Sequence, residues 1–114
     1  MTLEQLISLI TTEPASVEFS DVMNVIANNY HYTATTFENA DLVNQAGTNE
    51  GSCKIFAFAQ LHQLSQAQTL ACFGQYYRDD VLRHPNGEDH GNIRRFMQHG
   101  WPGITFSQPA LSPR

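Results

Sequence analysis

The amino-acid sequence predicts an α+β fold: a mainly helical single domain with a small antiparallel β-sheet. Apolar residues recur at three- and four-residue spacing through several segments, the signature of helices with one buried face. Residues 32–37 and 104–106 are instead rich in β-branched and aromatic residues, which suit a pleated surface. Residues 54–64 are apolar nearly all round, as expected of a central helix. At 114 residues the chain is long enough for one hydrophobic core without staples. We read residues 1–107 as the domain and 108–114, with Pro109 and Pro113, as a flexible C-terminal tail.

Thr2-Leu3-Glu4-Gln5 has the form of a capping box, with Leu3, Leu6, Ile7 and Ile10 following at helical spacing until Glu13-Pro14. Ser20 reads as the N-cap of a second helix striped by Val22, Val25, Ile26 and Tyr30. Tyr32 to Phe37 predicts a strand, Glu38 to Asp41 a turn, and residues 42–44 a short returning strand. Residues 104–106 predict a third strand, paired with 32–37. The small polar run from Ala46 reads as a tight turn with Ser52 as the N-capping residue, opening a helix that continues through Lys54 to Leu64. Ser65 with Gln68 repeats the capping box, and the helix it opens should reach about Arg83. Gly74 inside that helix costs roughly 1 kcal/mol against alanine, unless another element approaches closely. His84-Pro85-Asn86-Gly87-Glu88 is a loop. Asp89 should cap a last helix bearing Ile93, Phe96 and Met97, ended by Gly100, with Trp101 placed to touch Phe96.

A formal charge of -5 with six Lys plus Arg leaves no basic face for a phosphate backbone, so nucleic acid is not an expected partner. No apolar run approaches the roughly 18 residues of a membrane span, and no basic n-region or apolar h-region marks a secretory signal. No membrane insertion is expected. Two cysteines beside apolar residues point to free thiols in a reducing, cytoplasmic compartment rather than a disulfide framework.

Cys53 next to Lys54, at a helix start, is the candidate nucleophile. His90 or His62 would be its base, with Asp89 orienting His90. The competing reading is a small buried thiol filling a gap. His84, Glu88, Asp89 and His90 offer metal donors on one loop, but no ligand spacing is present. We therefore assign no metal and no cofactor. Arg78 and Asp79, with Asp89, His90, Asn92 and Arg94, form a polar set that either converges on a ligand or clips the last helix to its neighbour through ion pairs. Arg94-Arg95 would suit a carboxylate or phosphate, or simply a solvated face.

Three long motifs then carry a resemblance: Gly51-Ser52-Cys53-Lys54-Ile55-Phe56-Ala57-Phe58-Ala59-Gln60-Leu61, Cys72-Phe73-Gly74-Gln75-Tyr76-Tyr77-Arg78-Asp79-Asp80-Val81-Leu82, and Asp89-His90-Gly91-Asn92-Ile93-Arg94-Arg95-Phe96-Met97. In this order, over residues 1–107, the chain resembles the HopJ type III effector family. Asn39-Ala40 departs from the Asn-Gly that the resemblance leads one to expect. The resemblance implies a bacterial protein and, for a true effector, delivery by type III secretion; it implies no catalytic residue to carry over. We read the chain as a non-catalytic effector-like or intracellular binding protein for an unknown protein or small ligand. Its contact face would combine the 47–54 turn with the 84–94 loop, through Ser52, Lys54, Arg78, Asp79, His90, Asn92 and Arg94. The alternatives are a Cys53-dependent enzyme and a purely structural partner of another protein.

Overall fold

The computed structural model describes residues 1–114. Helix α1 (Leu3–Thr12) starts at Thr2, whose hydroxyl and the Gln5 amide complete the capping box. It turns its Leu6 and Ile10 into the core. A 3₁₀ turn (Pro14–Ser16) leads to α2 (Phe19–Asn29), which begins earlier than the expected Ser20 cap, from Glu18 and without a side-chain cap. Tertiary contacts fix that start: Val17 is buried, and Arg78 Nη1 donates to its carbonyl at 2.9 Å.

The single strand expected at 32–37 is two strands. β1 (Tyr30–Tyr32) leaves α2 directly, and β2 (Phe37–Asn39) follows after a break. Between them Thr35 Oγ1 donates to the Thr33 carbonyl at 2.8 Å, while the Thr33 N–H reaches the Ala110 carbonyl beside β1 and the Thr36 carbonyl accepts from Ser107 beside β2. The break lets the chain change sheets. β2 is the middle of an antiparallel sheet between β3 (Leu42–Asn44) and β4 (Ile104–Phe106). β1 pairs with β5 (Leu111–Pro113), which lies in the segment read from sequence as a flexible tail. Ala110 and Leu111 there are buried, so apolar packing and a ladder hold residues that proline content alone suggested were loose.

The β2–β3 hairpin closes through Ala40 and Asp41, with Ala40 in the left-handed region at φ 55°. A side chain there costs backbone energy that glycine escapes. Ala40→Gly is expected to raise unfolding free energy by roughly 0.5–1 kcal/mol in urea titration, the relief outweighing glycine's added unfolded-state entropy.

Helix α3 (Glu50–Leu61) is central as predicted, burying Ile55, Phe56, Ala57, Phe58 and Ala59. It begins from Asn49, not Ser52. Helix α4 (Gln66–Ala71) has the expected Ser65/Gln68 capping box but stops well short of Arg83. Gly74 adopts φ 58° and breaks it, and the chain resumes as a π-helical segment (Tyr76–Val81). The close approach is real: a Cβ on Gly74 would lie 2.7 Å from the Phe19 amide nitrogen. Helix α5 (Gly91–His99) begins from His90 rather than Asp89, and ends at Gly100. Trp101 packs edge-to-face on Phe96 with ring centroids 5.1 Å apart. No helix is long and apolar enough to cross a membrane.

At the C-terminal end of α3, the Tyr30 hydroxyl and His62 Nε2 are hydrogen-bonded. Burial holds the His62 pKa below its ordinary value. The unfolded chain therefore binds that proton more readily, and the contribution to stability is full above about pH 6.5 and lost as pH falls through the folded-state pKa. Stability is expected to decline from pH 7 to pH 5, and His62→Gln should flatten that part of the profile in chemical denaturation series.

Candidate functional site

The starts of α3 and α5 open on one cleft of about 310 Å³, lined by Asn49, Gly51 and Ser52 from one helix and His90, Gly91, Asn92 and Ile93 from the other. Phe19, Phe73 and Tyr76 complete its apolar side. Tyr76 holds this wall together, edge-on to Phe19 at 5.0 Å and tilted against the His90 ring at 5.3 Å. Gly51 permits the close fit, since a Cβ there would sit 3.1 Å from Phe19 Cζ.

Both helices start from a residue in the left-handed conformation, Asn49 at φ 50° and His90 at φ 52°, and neither uses a side chain as its cap. The first N–H groups of each helix have no intrahelical acceptor, and each helix start carries the positive end of its dipole. His90 Nε2 lies 3.0 Å from Asp80 Oδ2 and 3.7 Å from Asp89 Oδ2. Carboxylates only accept, so Nε2 carries a hydrogen and the ring is held by Asp80. Arg94 bridges the preceding loop, donating to the Asp89 carboxylate at 2.7 Å and the His84 carbonyl at 2.9 Å. That guanidinium holds the Asp89 carboxyl below its ordinary pKa.

The predicted residues divide between several places. Ser52, His90 and Asn92 meet on the cleft. Cys53 turns the other way: it is 1% exposed, with Sγ 3.8 Å from the Thr35 carbonyl. Burial pushes its thiol pKa up, against smaller opposing effects of Tyr32, the Thr35 backbone and Lys54. Lys54 sits on the same side, its Nζ 4.7 Å from the centroid of the Tyr32 ring. Arg78 anchors the start of α2, through Val17 and a 4.0 Å approach to Glu18. Asp79 pairs only with Arg83, on the exposed surface, where such a pair contributes little. His62, the other proposed base, is engaged by Tyr30.

Two other hollows are larger. One, about 360 Å³, is an apolar groove beside Ala57, Leu61, Phe106 and Leu111. The other, about 720 Å³, surrounds Arg94 and Arg95, whose guanidinium groups are already paired with Asp89 and Asp41. Size does not favour the smaller cleft. What sets it apart is polar groups from two distant segments converging on an apolar wall, the ordinary make-up of a ligand site.

With this geometry in place, comparison with known proteins is decisive for kinship. Residues 3–111 match the HopJ type III effector protein family. The chain belongs to that family. A crystal structure of the unknown-function protein VPA0580 is similar to this HopJ-family chain at 47% identity and TM-score 0.98, covering 100% of this chain and 95% of the other. A search of curated proteins gave no match. The stretches that begin at Gly51 and Asp89 supply the two helix starts of the cleft, and the stretch holding Phe73 and Tyr76 supplies part of its wall. The cleft brings together residues of the 47–54 and 84–94 segments, and Phe19, Phe73 and Tyr76 line it from outside them. The available signal for the two helix starts was the recurrence of a left-handed-tolerant residue, Asn49 and later His90, just ahead of a glycine.

Proposed function

We propose that this HopJ-family chain is a non-catalytic binding protein whose ligand, a small molecule or a partner's side chain, seats an anionic oxygen group in the cleft between α3 and α5. One observation carries the reading: an apolar wall faced by two uncapped helix starts, with Ser52 among the lining residues. Backbone N–H groups and the aligned dipoles complement acceptor oxygens there, and the aromatic wall takes an apolar body. Titration with phenyl phosphate, followed by amide chemical shifts, tests it. Saturable shifts at Gly51, Ser52, Gly91 and Asn92, weakened by Gly51→Val, are expected. Shifts confined to Arg94 and Arg95, or none that saturate, would refute the cleft.

Catalysis by Cys53 lacks comparable support, because its thiol is buried and the His90 Nε2 is already held by Asp80. Cys72 is buried as well, its thiol pKa pushed up to about 12. Both thiols should react with a maleimide far more slowly in the folded protein than in urea, a protection set by opening of the fold. Fast, selective labelling of Cys53 in the native state would restore the enzyme reading. We place the working compartment inside the cell, on the strength of two unpaired buried thiols. A reporter fused to residues 1–20 should be retained by type III-competent cells; its export would make the chain a secreted effector.

A further inference from the structure

The two helix starts of the cleft are joined by a relay of side-chain amides, buried except at Asn49. Asn49 Nδ2 donates to Asn44 Oδ1 at 2.7 Å, and Asn92 Nδ2 donates to the same oxygen at 2.9 Å. Asn92 Oδ1 in turn accepts from Asn44 Nδ2 and Asn39 Nδ2, each at 3.1 Å. Asn39 Nδ2 also donates to the Asn92 carbonyl at 2.8 Å. Asn39, Asn44 and Asn92 are 0%, 1% and 5% exposed. Turning over the Asn39 amide would set its oxygen against both Asn92 oxygens, so the pattern of acceptors fixes its orientation.

We infer that Asn44 and Asn92 are positioning residues that lock the start of α3 to the start of α5 through the β2–β3 hairpin, so that the cleft changes shape as one unit. Asn49 makes the point. An asparagine at an N-cap ordinarily uses its oxygen on its own helix, yet this one directs its amide across to Asn44 and leaves α3 uncapped. Asn92, in the first turn of α5, is likewise turned inward to the hairpin rather than to water. Asn39 and Asn44 both come from the hairpin, at the end of β2 and the end of β3. The left-handed backbones at Asn49 and His90 are conformations that non-glycine residues keep where surrounding structure determines them. For Asn49 the relay supplies that determination. The use of the cleft rests on the binding reading above; the coupling is a property of the free chain.

The test needs no ligand. Asn49→Gly removes the first link at an exposed position whose backbone suits glycine, so the fold is kept. In amide and side-chain NH₂ spectra of the whole chain, we expect changes at the Asn44 and Asn92 side chains and at the backbone of Gly91 to Ile93, with Tm little altered. Asn92→Asp, which replaces a donor to Asn44 by an acceptor, should produce the reciprocal changes at Gly51 and Ser52. Changes confined to residues 45–53 in Asn49→Gly would overturn the coupling and leave the amides as local core bonds. Should Asn92→Asp fail to fold, the Asn49→Gly spectra decide alone. Failure of phenyl phosphate to bind would refute the use of the cleft without touching this result.

Discussion

Phe56→Ala is expected to destabilise the protein by about 3–5 kcal/mol, the range for emptying a large aromatic site in a close-packed core. Phe56 is wholly buried on the central helix, and its ring meets Phe37 at 5.9 Å, Phe73 at 5.6 Å, Phe96 at 5.0 Å and Trp101 at 6.4 Å. These partners come from β2, from the bend after α4, from α5 and from the 3₁₀ turn Trp101–Gly103, so one ring joins most of the fold. Truncation removes the transfer energy of the ring and leaves a hole that neighbours on four separate elements cannot all collapse into. Phe73, one of those neighbours, also lines the cleft, so loss of Phe56 should loosen the site as well as the core. The measurement is the midpoint and slope of urea unfolding. Phe56→Leu, which keeps more of the volume, should cost clearly less than the alanine variant. An alanine variant as stable as the parent would mean that this aromatic cluster is not the centre of the core.

The helices were the legible part of this chain, and the reason is local. Thr2 with Gln5 and Ser65 with Gln68 advertise their helix starts through side chains that act within one turn, and both capping boxes form. The all-round apolar run from Ile55 to Ala59 needs no partner to be recognised as central. The illegible parts are those decided by distant contacts. Nothing near Tyr30 announces that its strand pairs with Leu111–Pro113, since that register is set by residues at the other end of the chain. Ser52 and Asp89 read as the helix caps, whereas the helices start from Asn49 and His90, whose left-handed backbones are held by the Asn49–Asn44 amide bond and by Arg94 on the Asp89 carbonyl. The cleft shows the same division. Ser52, His90 and Asn92 were visible as polar residues at helix starts, whereas Phe19 and Phe73 looked like ordinary core. That Cys53 faces away from His90 is a matter of helix phase relative to Tyr32 and Thr35, which spacing alone does not give.

Gly74→Ala should cost about 3 kcal/mol, of which roughly 1–2 comes from forcing a side chain into the left-handed region and the rest from overpacking. The backbone there has φ 58°, and a Cβ would meet the Phe19 amide nitrogen at 2.7 Å and the Val17 carbonyl oxygen at 3.4 Å. Neither contact is with the yielding end of a side chain. To admit the methyl, the start of α2 must move, and with it Phe19, which forms part of the cleft wall. Against this, alanine gains about 1 kcal/mol of intrinsic helix preference only where the backbone is helical, and Gly74 lies at the break between α4 and the π-helical segment. The sign is therefore settled by geometry rather than propensity. In thermal unfolding the variant should melt roughly 10–15 °C lower, at about 4 °C per kcal/mol for a domain of this size. The same substitution should shift the amide resonances of Gly51 and Ser52, whose neighbour Phe19 has been displaced. A variant that melts higher than the parent would show that residues 66–83 form the unbroken helix expected from periodicity, with Gly74 inside it.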